Sequence, residues 1–143
     1  MLIVAYGITF FLRTQGLAAE ELYSVISSSL IGNDDDIYVS NEKSGRDWRS
    51  CHLSRESQPS NGDPILLEAH SAVQVVQATV AEVADDSPTD EISNADAMLI
   101  LTLIGNNADW VTVRLVWEIL NNLWSPIPFS DGSGFEVQFE SMS

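Results

Sequence analysis

Four of the six basic residues in this 143-residue chain, Lys43, Arg46, Arg49 and Arg55, fall between positions 43 and 55. Trp48, Cys51 and His52 lie among them. Guanidinium groups grip carboxylates and phosphates through paired N–H bonds and stack on aromatic rings. The segment is therefore a candidate anion or ligand loop built from Arg46, Trp48, Arg49, His52 and Arg55. In that site Arg46 and Arg49 act as clamps and His52 as a proton carrier. The competing role is neutralisation of nearby acids such as Asp34, Asp35 and Asp36. Cys51 and His52 do not make a nucleophile–base pair with each other, because neighbours on an extended chain point to opposite sides.

Other chemistries find little support. His70 is the only other histidine, and neither Cys-x-x-Cys nor His-Glu-x-x-His occurs. The runs Asp34-Asp35-Asp36 and Asp85-Asp86 with Asp90-Glu91 lack the glycine and final glutamate of a calcium loop. Gly132-Ser133-Gly134 has no phosphate-loop continuation and predicts a turn. No catalytic residue, metal site or cofactor is expected.

Charge sets the partner class. The net charge is −15, and residues 58–143 hold thirteen acids and one base, Arg114, for a net −12. Such a field repels nucleic-acid backbones and anionic membranes and attracts basic proteins. The candidate contact residues are Asp34, Asp35, Asp36, Asp85, Asp86, Asp90 and Glu91. Solubility or salt adaptation would produce the same composition. The single cysteine excludes an intrachain disulfide and fits a reducing cytoplasm. The apolar start, Met1–Leu12, lacks the basic flank of a signal peptide and is too short to span a bilayer.

The elements that must position these residues follow from periodicity. Residues 2–12 and 97–104 are apolar on both parities, which predicts interior strands covered on both sides. Leu17 to Ile31 projects Ala18, Ala19, Leu22, Val25, Ile26 and Leu30 to one side, a helix lying on a sheet. Ile37 to Ser40 and Ile65 to Glu68 are short strands, with a long polar loop at 41–63 between them. Ala72 to Ala84 projects best as a helix, with Ser71 and Gln74 at capping-box spacing, and a strand is the alternative. An acidic loop fills 85–96, and Asn106 caps a helix from Ala108 to Trp124 that Ser125-Pro126 ends. Residues 135–140 alternate as a last, one-sided strand.

The last helix is apolar most of the way round, with Trp110, Trp117 and Trp124 on one seam. It is either the central core helix or a subunit interface. Together these elements predict one acidic domain over 1–143, of α+β class. Its mixed sheet has about five strands and about three helices in the order β-α-β-β-α-β-α-β, with a three-layer α/β arrangement as the alternative. The expected function is a non-enzymatic acidic protein-binding module, of the inhibitor or immunity type, for a basic partner. The alternatives are an anionic-ligand domain or enzyme using the Arg-rich 43–55 loop, and a homo-oligomeric structural subunit.

Overall fold

The computed structural model describes residues 5–57, 65–83, 95–104, 110–124 and 127–130. Their elements run β1 (Ala5–Leu12), α1 (Ala19–Asn33), β2 (Ile37–Ser44), β3 (Trp48–Arg55) and β4 (Ile65–His70), then α2 (Val73–Val83), β5 (Ala97–Ile104), α3 (Trp110–Trp124) and β6 (Ile127–Ser130). The fold is α+β, with one sheet and three helices. The six strands lie in the order β2-β3-β4-β5-β1-β6, and every pairing is antiparallel.

The two-sided apolar strands have a direct cause. Alternate residues of a strand face opposite sides of the sheet. Ile8, Phe10 and Leu12 of β1 join Leu99, Leu101 and Leu103 of β5 in the main core. That core is closed by Leu22, Ile26 and Leu30 of α1 and by Val113, Val116 and Leu120 of α3. Phe11 and Met98, of the other parity, meet Val76 and Val80 of α2 in a smaller cluster. Helices thus cover both faces of β1 and β5, while the antiparallel ladder keeps the fold in the α+β class. Each fully buried aliphatic side chain contributes about 1.5–3 kcal/mol through removal from water.

Several expectations change. The long polar loop at 41–63 is corrected: β2 continues to Ser44 and Trp48–Arg55 is the strand β3. β3 pairs β2 on one side and β4 on the other. Its polar composition hid it, because only Cys51 and Leu53 of its eight residues enter the core. The turn to β3 requires Gly45, since a Cβ there would collide with the Trp48 indole. On α1, Val25 is exposed and Tyr23 takes its place in the core. The segment 73–83 is a helix, but Ser71 does not serve it as the capping box predicted. Its hydroxyl accepts the Ala19 N–H at 2.9 Å and so caps α1, whose own N-cap, Ala18, has no side chain to do so.

Chain termini add a further difference. Ile127–Ser130 forms β6, which among the described residues pairs with β1, and sequence periodicity did not predict it. Pro128 stands on the outermost strand of the described sheet, the position where a missing N–H is best tolerated. The strand expected at 135–140, and the Asn106 cap, lie outside the described residues. No helix among the described residues is long and apolar enough to cross a membrane.

Candidate functional site

The basic segment becomes a strand, and the strand divides it. Arg49 and Arg55 share the parity of Cys51 and Leu53 and face α1 and α3. Trp48 and His52 have the other parity and face the opposite side of the sheet. Arg46 sits exposed in the turn. Six residues of strand separate Arg49 from Arg55, about 20 Å at the usual rise. Arg46, Trp48, Arg49, His52 and Arg55 are therefore not brought to one point.

Arg55 is instead the centre of an internal clamp. Its guanidinium meets Asp34 Oδ2 at 2.9 Å and Asp36 Oδ2 at 3.5 Å, and donates to Thr112 Oγ1 at 2.9 Å. The end of β3 is thereby tied to the α1–β2 turn and to the first turn of α3. Asp36 also accepts the Ser57 hydroxyl at 2.6 Å and its N–H at 2.9 Å. The Ser57 hydroxyl, helped by that N–H and by Arg55, holds the Asp36 carboxyl below its ordinary value against a smaller opposing effect of desolvation. Arg55→Ala should lower stability by about 2 kcal/mol, because it leaves two carboxylates facing each other without their cation. Urea unfolding measures this. A loss under about 0.5 kcal/mol would reduce the clamp to an ordinary surface pair.

Arg49 makes a looser connection. It donates to the Gly45 and Trp48 carbonyls at 2.8 and 2.9 Å, and lies 3.5 Å from Glu20. On the opposite face, His70 Nε2 lies 3.5 Å from Glu68 Oε2. Among the described residues, no three His, Cys, Asp or Glu side chains are grouped to hold a metal.

The Cys51 thiol is fully buried. Burial pushes it up to about 11; the Tyr23 hydroxyl opposes the rise and the Glu42 charge adds to it. The Tyr23 hydroxyl donates to Glu42 Oε2 at 2.6 Å, and burial followed by that bond raises its own ionisation far above the ordinary range. A thiol in this position is protonated at neutral pH and shielded from solvent, so it has neither the charge nor the access of a nucleophile.

The acidic candidates divide in a similar way. Asp34 and Asp36 are engaged by Arg55, and Asp35 is exposed. Asp85, Asp86, Asp90 and Glu91 lie outside the described residues. Glu20 and Glu21, in the first turn of α1, add exposed negative charge where the helix dipole favours it.

On α3, the buried arc is Thr112, Val113, Val116, Ile119 and Leu120. Trp117 and Trp124 are partly buried and pack against the main core, while Val111 and Leu123 are exposed. Trp110 opens the helix, and its side chain lies outside the described set.

One arrangement escaped the sequence patterns. Asp96 accepts the Thr14 N–H at 2.7 Å, the Gly16 N–H at 2.7 Å and the Thr14 hydroxyl at 3.2 Å. Burial pushes this carboxyl up, but the bonds from Thr14 and Gly16 outweigh it and hold the group below its ordinary value. The fixed loop carries Gln15 at φ 62° and Gly16 at φ 89°, both left-handed. Arg13, Thr14 and Gln15 line an open cleft of about 650 Å³ whose other wall is Leu123 and Trp124. In sequence Asp96 ends the expected acidic loop at 85–96, and nothing local to Arg13 signals that α3 ends beside it.

Comparison with protein families, characterised proteins and solved structures finds no match to this chain.

Proposed function

We propose that this chain is a non-enzymatic, acidic protein-binding module that docks a basic partner, in the manner of an inhibitor or neutraliser. The observation that carries this reading is the fate of the cations. Residues 58–143 hold thirteen acids and a single base, Arg114. Arg114 lies 3.4 Å from Glu118 on its own helix. Arg49 and Arg55 likewise face Glu20, Asp34 and Asp36. Three of the six cations, Arg49, Arg55 and Arg114, thus face acids of this same chain, and the excess of acids remains to meet a partner. The dispersal of the Arg-rich segment and the burial of Cys51 also remove the two best starting points for catalysis. A reducing cytoplasm is the compartment that suits its single thiol.

Association driven by such a field is fast and sensitive to salt. A tagged chain incubated with native lysate should retain a basic protein in low salt and release it in a salt gradient. Reversing Asp85, Asp86, Asp90 and Glu91 together to Lys should slow association about tenfold or more at low ionic strength. Unchanged binding by that variant would move the contact away from these acids. Failure of a folded chain to retain any basic protein would overturn the proposal.

A further inference from the structure

We propose that the cleft between the β1–α1 loop and the end of α3 binds a small aryl carboxylate. Arg13 supplies the charge. Its exposed side chain makes no ion pair or hydrogen bond among the described residues, unlike Arg49, Arg55 and Arg114. Lys43 and Arg46 also lack an ion pair among the described residues, but Arg13 is the cation that lines a cleft. None of the described residues lining the cleft is acidic. Trp124 and Leu123 supply the apolar wall, and Leu123 keeps 48% of its surface exposed. A cation next to an indole and an exposed leucine recognises an anion carried on a flat apolar body better than it recognises a bare ion. The cleft volume, about 650 Å³, falls within the range of small-molecule sites.

The loop is also built for a fixed geometry. A glutamine in the left-handed region is strained and persists only where its surroundings hold it. Here Asp96 fixes the N–H groups on either side of Gln15, at Thr14 and Gly16, and the Thr14 hydroxyl accepts the Leu17 N–H at 3.1 Å. The strained residue is part of the cleft wall. The negative end of the α3 dipole lies at Trp124, so the carboxylate must sit toward Arg13 and the ring toward the indole.

The test is amide and indole NMR of the full chain, titrated to 10 mM (about the weakest affinity expected of such fragments) with a panel of aryl carboxylates and their neutral carboxamides. At least one acid should saturably shift the Trp124 indole N–H together with the Arg13 and Gln15 amides. Its carboxamide should bind about tenfold more weakly. Arg13→Gln, an exposed position, should abolish that preference. Leu123→Glu should weaken the acid more than the amide. The proposal is overturned if no acid moves these resonances, if acid and amide bind alike, or if Arg13→Gln leaves the preference intact. None of these outcomes depends on the protein partner proposed above.

Discussion

Phe10→Ala should destabilise the fold by about 4 kcal/mol, the largest effect expected of any single truncation here. Phe10 is fully buried in the middle of β1, between Leu99 of β5 and Pro128 of β6. Its side of the sheet is closed by both α1 and α3, so the surrounding helices cannot collapse into the space without breaking other contacts. Phe11, the next residue, is 3% exposed but belongs to the small cluster under α2. A single helix can shift to refill that side, and Phe11→Ala should cost less, about 3 kcal/mol. Urea unfolding of both variants gives the comparison. Hydrogen exchange should show Phe10→Ala weakening protection throughout the sheet and Phe11→Ala weakening it mainly in α2. If Phe11→Ala proves the costlier, the assignment of the two core layers is wrong.

The same two layers explain what could be read in the chain beforehand. β1 and β5 declared their double coverage because residues of both parities are apolar. α2 was ambiguous because valines favour strands, and its single contact face, Val76 and Val80, is too narrow for a strong helical pattern. β3 was invisible for a different reason. The parity of Ser50, His52 and Ser54 is polar throughout, although Ser50 is itself buried, so no apolar alternation marks the strand. What remained, Cys51 and Leu53, is too little for a periodicity argument.

The site residues show the corresponding limit for function. Clustering in sequence suggested that Arg46, Arg49, Arg55, Trp48 and His52 act together. A strand of period two sends such a cluster to two faces and spreads it along its length. The reverse holds for Asp96 and Thr14, which are 82 residues apart and hydrogen-bonded. Their meeting depends on the β1–β5 register, in which Leu12 faces Ala97, and no local pattern encodes a register. The neutralising role of Arg55 toward the Asp34–Asp36 run was the part of the charge pattern that local proximity could anticipate.

Asp96→Ala should cost about 3 kcal/mol at neutral pH, because it leaves the Thr14 and Gly16 N–H groups without their charged acceptor. The pH dependence separates this cause from a packing defect. The folded-state pKa of Asp96 lies below its unfolded value. Its contribution is therefore complete above the ordinary aspartate value, about 3.9, and is lost as pH falls through the lowered folded-state value. The protein as a whole behaves oppositely over the preceding range. Its sequence pI is about 4.1, so acidification from neutrality relieves self-repulsion and raises stability before the carboxylate bonds fail. The difference between wild type and Asp96→Asn removes that shared background. It should be flat from pH 7 to about 5 and shrink below about 4. A difference that persisted undiminished at pH 3 would mean that the carboxylate charge is not what holds the loop. The same substitution frees Gln15 from the bonds that flank it, so loss of loop rigidity and loss of the cleft geometry at Arg13 should appear together in one variant.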